Sequence, residues 1–228
     1  MRAAPKFASG LDALAWSILL VGVLIADFAL LGLPVPHLME GDALIHLVFA
    51  RNMTEGRPFE YGLGQPSRGG TSLLWEVLLA MVGKLTRTAQ HGEAFVLATR
   101  ITSGACLLIF GWAFVRVLGA LGLRRRAAVL VTALCVAHPV VFYWTVANPM
   151  ETALTLVLVA GLVAEILPPS VSARRALRSA FALALFTFAL LLARPELSLL
   201  AGLAAVVLPW HDVRPRRWRT LVATCRPY

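Results

Sequence analysis

Three short stretches of this chain carry side chains that can do chemistry. "MEGDALIHLVFARN" holds Glu40, Asp42, His46 and Arg51, "NPMETAL" holds Glu151, and "ARPEL" holds Arg194 and Glu196. A carboxylate can take the proton from an attacking hydroxyl, and an arginine fork binds phosphate oxygens in a bidentate way. Asp42 and His46 stand at i, i+4 spacing, so on a helix they lie one turn apart and can hydrogen-bond. Bland readings stand beside these. An acid on an amphipathic interfacial helix is commonly just exposed, Arg51 and Lys84 also suit headgroup anchoring, and the prolines beside Glu151 and Glu196 also suit helix starts.

The elements that must position these groups are apolar. Of 228 residues 59% are hydrophobic and only 14% charged, and the mean hydropathy is +0.77. A soluble domain of this size needs more polar surface, so the pattern predicts an all-α, polytopic helical membrane protein. The net charge of +9 comes largely from arginines clustered between apolar runs. That placement points to membrane anchoring and away from nucleic acid. Cys106 and Cys135 lie in apolar segments and Cys225 in the basic tail, a usage that predicts neither a disulfide framework nor a zinc site.

Apolar segments fall at 13–33, 71–83, 94–121, 127–147, 151–167, 179–193 and 197–210. A span needs about 20 residues, and 71–83 is short and carries Glu76. The clusters Arg124 to Arg126, Arg174 to Arg178 and Arg214 to Arg219, with Arg2 and Lys6, belong together on the cytoplasmic side only if 71–83 does not cross. The reading is therefore six spanning helices with a cytoplasmic N-terminus in a cell membrane. Residues 1–210 form the membrane module, and 211–228 form a basic cytoplasmic tail. A first outer loop, 34–93, holds two shorter helices near 40–55 and 71–83. Asp42, Ile45, His46, Phe49 and Ala50 share one face of the first. Glu40 suits its start, Arg51 and Asn52 its end, and Gly56 the turn beyond. "PFEYGLGQPSRGG" reads as irregular, Thr71 or Ser72 as the cap of the second helix, and Trp75 as an interface residue. His138 with Pro139 reads as a kink or packing feature.

The block "GDALIHLVFARNMTEGRPFEYGLGQPSRGGTSLLW" resembles the first outer loop of integral-membrane GT-C glycosyltransferases. It is closest to the bacterial branch of arabinofuranosyltransferase-like and mannosyltransferase-like enzymes that use polyprenyl-phosphate sugars. The likeness lies in Ala50-Arg51-Asn52, Gly56, Tyr61, Gly64, Pro66 and Gly70-Thr71-Ser72 with Leu74 and Trp75. "NPMETAL" and "ARPE" resemble two later motifs of that family, in the same order. Many relatives open the loop with two adjacent acids, whereas here Gly41 precedes Asp42. Relatives are also longer, which implies that the chain is the N-terminal part of such an enzyme.

The resemblance implies an inverting transferase that moves a sugar from a polyprenyl-phosphate donor to a glycan or lipid acceptor of the cell envelope. Asp42 would be the base, with Glu151 supporting an acceptor hydroxyl. Arg51, Arg194 and, less directly, Lys84 would meet the phosphate. Glu40, His46 and Glu196 would line the site. No cofactor is expected, although a divalent metal held by Asp42 and Glu151 is compatible with the residues. Two other readings stay open: a lipid or solute transporter, and a non-catalytic truncated membrane protein.

Overall fold

The computed structural model describes residues 22, 39, 41–62, 64–67, 70–166 and 173–197. The described residues are mostly helical, with one small hairpin. Helix α1 runs Gly41–Thr54 and is followed by the hairpin strands β1, Glu60–Gly62, and β2, Gln65–Pro66. Helix α2 is Leu73–Thr86, α3 Gly92–Ala120, α4 Arg125–Val136 and α5 Pro139–Phe142. A π-helical turn, Tyr143–Ala147, leads to α6, Thr152–Ile166, then α7, Ala173–Ala193, and a 3-10 turn, Pro195–Leu197.

Local chemistry explains the boundaries. After α1, Gly56 takes a left-handed backbone with φ +78, a conformation that side chains resist. Helix α2 closes on Arg87, itself left-handed at φ 59. Ser72 occupies the N-cap position of α2 through its carbonyl, which accepts from Glu76 N, but its buried hydroxyl makes no cap bond. Helix α3 contains no proline and runs 29 residues. At 1.5 Å per residue it is about 43 Å long, enough to cross a hydrocarbon core of about 30 Å. The expected kink at His138–Pro139 is present: α4 and the Pro139–Ala147 stretch bend by 60° there. Proline lacks the N–H that would continue α4, and His138 Nδ1 accepts from Val140 N at 3.3 Å to start the next turn.

Among the described residues, only α3 is by itself long and apolar enough to cross a membrane, with the bent pair α4–Ala147 as a second candidate. Thr152–Glu165 and Phe181–Ala193 are shorter apolar helices. The first and last expected spans, 13–33 and 197–210, lie outside the described residues apart from Gly22 and Leu197, as do Glu40 and the tail 211–228. The outward faces are nonetheless apolar, with Leu97, Ile101, Ile109 and Trp112 exposed on α3 and Phe181, Leu185 and Phe188 on α7.

The core nearest the acids joins four helices. Leu47 and Ala50 of α1 meet Trp75 and Leu79 of α2, Phe95 and Cys106 of α3 and Ala153 of α6. Trp75 is thus not an interface anchor: it is fully buried beneath α1. Burying a large apolar side chain contributes about 1.5–3 kcal/mol, so Trp75 and Leu79 do much to dock the two loop helices. The stretch expected to be irregular instead pairs antiparallel, Glu60 with Pro66 and Gly62 with Gln65. Buried Asn52 pins it to α1 by donating Nδ2 to Glu60 O at 2.7 Å, and the Phe49 and Tyr61 rings pack 5.8 Å apart.

Candidate functional site

Four segments deliver charged groups to one end of the helices. Helix α1 turns Ala43, His46, Leu47 and Ala50 inward, which carries the imidazole under its apolar face. Helix α2 buries Glu76 next to Trp75. The π-helical turn closes with Asn148 N bonded to Tyr143 O at 2.8 Å, and the chain reverses so that Glu151 stands at the start of α6. Arg194 follows the last turn of α7, its N–H bonded to Leu190 O at 2.8 Å.

These groups form a chain of alternating charge. His46 Nδ1 lies 3.1 Å from Glu76 Oε1, and Nε2 lies 3.0 Å from Glu151 Oε2. The second contact is a close approach of charges rather than an aligned hydrogen bond. Glu151 Oε1 meets Arg194 Nη2 at 2.5 Å, and Arg194 Nη1 meets Glu196 Oε1 at 3.0 Å. The side chains of His46, Glu76 and Glu151 are only 2–3% exposed, whereas Arg194 is 32% and Glu196 60% exposed. The chain of charges therefore runs from the protein interior out to solvent.

Both imidazole nitrogens face carboxylate oxygens, which only accept, so both carry protons. Burial works to lower the His46 pKa, but the two glutamates outweigh it and raise it to about 9. Burial likewise works against ionised Glu151. His46, the glutamate's own amide and Arg194 outweigh it and hold the carboxyl below its usual range. Buried charges persist only with such partners on each side. Beneath them, Arg100 and Ser103 of α3 bond to the carbonyls of Ala147 and Thr145 and satisfy the π-helical turn.

The expected site residues divide. Glu151, Arg194, Glu196 and His46 come together as above. Asp42 is exposed in the first turn of α1, and His46 does not bond to it because both ring nitrogens are engaged across the helix interface. Arg51 points elsewhere: its Nε donates to Glu55 Oε1 at 3.3 Å, in a surface group that includes Arg57 and Gln90. Lys84 is exposed in the last turn of α2, two turns beyond Glu76. The residue that sequence reasoning missed is Glu76. Its signal was present, as the one carboxylate in a mostly apolar helix.

Glu76 also forms part of a cavity wall. A space of about 540 Å³ lies between the hairpin and the loop helices, lined by Phe49, Phe59, Pro66, Ser67, Gly70, Leu73 and Glu76. Gly70 presses directly on the carboxylate: a Cβ there would stand 2.5 Å from Glu76 Oε1 and 2.7 Å from Oε2. No family model, curated protein or solved structure matches this chain.

Proposed function

We propose that this chain is a module of an inverting membrane glycosyltransferase. It takes a sugar from a polyprenyl-phosphate donor and passes it to a glycan or lipid acceptor at the outer face of the plasma membrane. Six helices cross the bilayer, and the N-terminus is cytoplasmic. The observation that carries this reading is the meeting of His46, Glu151 and Arg194 in one chain of charges. Each comes from a different one of the three sequence blocks that resemble the GT-C family. Two facts add support. The arginine-rich turn Arg124–Arg126 lies at the far end of α3 from this site, and the outward helix faces are apolar.

In this mechanism Asp42 accepts the proton of the acceptor hydroxyl as its oxygen bonds to the anomeric carbon. The bond from that carbon to the phosphate oxygen breaks, and the polyprenyl phosphate leaves with the electron pair. Arg194, partly exposed, offers its fork to the growing phosphate charge, while Glu151 and Glu196 hold the guanidinium in place. His46 is a positioning residue that ties Glu151 to the loop helix.

The test uses the full protein in proteoliposomes with a labelled polyprenyl-phosphate sugar. Asp42→Asn lowers transfer by about 10²–10⁴-fold, the usual value of general-base help, and leaves insertion and donor binding intact. Full transfer by the variant overturns the assignment of Asp42. The bend at His138–Pro139 favours one second reading, a transporter built on a broken helix. Substrate movement across the bilayer without glycosidic bond formation would establish it.

A further inference from the structure

The cavity beneath the hairpin has a construction that the proposed transfer reaction leaves unused. Its described lining is mostly apolar, from Phe49, Phe59, Pro66 and Leu73, with Ser67, Gly70 and one carboxylate, Glu76, set among them. Its volume of about 540 Å³ falls within the usual range of small-molecule pockets, about 300–1,000 Å³. An apolar wall with one buried hydrogen-bond acceptor suits a flat or puckered ring that has an apolar face and hydroxyls at its edge.

Two details bear on occupancy. Phe59 holds a left-handed backbone at φ 65, and the residue is 56% exposed. A bulky side chain is strained there, whereas glycine would be free of strain. Non-glycine residues in this conformation persist where the surroundings enforce them and gather at ligand sites. Ser67 N, donating to Phe59 O at 2.8 Å, holds the backbone there, and the largely exposed residue lines the cavity. Glu76, for its part, already meets His46 through Oε1. With that cation beside it, the carboxylate has no need of a second positive charge, which favours a neutral hydroxyl over an ammonium group.

We propose that this cavity is a subsite for a neutral, hydroxyl-bearing ring, with Glu76 accepting a hydrogen bond from a ring hydroxyl and Phe59 and Leu73 covering its apolar face. On the glycosyltransferase reading, which this assignment rests on, the ring belongs to the acceptor.

The test is saturation-transfer NMR on the full protein in nanodiscs, with methyl α-mannopyranoside and methyl α-arabinofuranoside as probes and choline as a cationic control. Saturation passes to ring protons of at least one glycoside and not to choline. Leu73→Trp, which puts a bulky ring into the part of the cavity where the ligand ring would lie, abolishes the signal. Phe59→Gly is the decisive variant because it relieves backbone strain. It leaves thermal stability equal or higher while affinity falls by about tenfold, an order of magnitude in Kd. Absence of glycoside signal, a signal that survives both substitutions, or binding of choline in its place overturns the subsite. The same variants in the transfer assay separate this inference from the proposed function. Transfer with an unchanged acceptor KM in Leu73→Trp defeats the subsite alone. Glycoside binding in a protein that transfers no sugar defeats the transferase reading alone.

Discussion

Arg194 Nη2 lies 2.5 Å from Glu151 Oε1, so the end of α7 is tied to the start of α6 by an ion pair whose acid is buried and whose base reaches solvent. Removing the base strands a buried carboxylate that keeps only His46 as a counter-charge. Breaking a fully buried pair costs about 3–5 kcal/mol. Because Arg194 is a third exposed, water compensates in part, and Arg194→Gln is expected to cost about 2 kcal/mol. Arg194→Lys restores most of it. Thermal unfolding in detergent, read with a thiol dye or by circular dichroism, measures both.

The imidazolium of His46 makes the docking of α1 sensitive to alkaline pH, which weakens it. Its pKa rises from 6.5 to about 9 in the folded chain, so the folded state binds this proton more tightly than the unfolded state. The stabilisation is complete below the unfolded value and is lost as pH climbs through the folded one. At 1.36 kcal/mol per unit the contribution is about 3 kcal/mol. Glu151 has the opposite sign: its lowered pKa gives stability above the ordinary carboxylate value that is lost on acidification. The hydrogen-exchange protection factors of residues 41–54, which exclude the intrinsic base-catalysed rise in exchange, should fall between pH 7 and pH 10 by about 10²-fold. In His46→Gln this pH-dependent component disappears.

Gly70 is expected to tolerate no side chain. A Cβ at 2.5 Å from Glu76 Oε1 forces the carboxylate off His46 or the loop off α2. Overpacking of this kind costs about 1–3 kcal/mol. Gly92→Ala is the control, since a Cβ there meets nothing within 4 Å. A chemical denaturation series on the two variants should separate them clearly, with only Gly70→Ala shifted downward.

The proposed topology has a direct check by side-specific labelling. In a background of Cys106→Ala, Cys135→Ala and Cys225→Ala, an impermeant maleimide applied outside whole cells should modify Asp42→Cys and Glu196→Cys. Arg125→Cys should react only after permeabilisation. Reaction of positions 42 and 196 from opposite compartments would dismantle the outer-face site.

Much of the local structure was legible in the sequence. The expected helix near 40–55 is Gly41–Thr54, and that near 71–83 is Leu73–Thr86. The break at Pro139 follows from a missing N–H, and the grouping of Glu151 with Arg194 and Glu196 follows from their place at helix boundaries. What could not be read was pairing across elements. The spacing of Asp42 and His46 suggested a bond within one helix, yet the imidazole turns to acids far away in the chain. Glu76 looked like a blemish on a short apolar helix because its partner is supplied by tertiary packing alone. The hairpin at Glu60–Pro66 was masked by glycine and proline, and its anchor, Asn52, had read only as the end of α1.

The π-helical turn at Tyr143–Ala147 presents its own backbone to α3. Such turns hold one residue more than an α-helix would over the same turn. Deleting a single residue between Tyr143 and Ala147 would let the coil tighten to regular winding, which leaves the downstream chain close to its present direction. Thr145 and Ala147 would then surrender their carbonyls from Ser103 and Arg100. The spare residue thus serves the seam with α3, and the two polar side chains buried there would lose these acceptors.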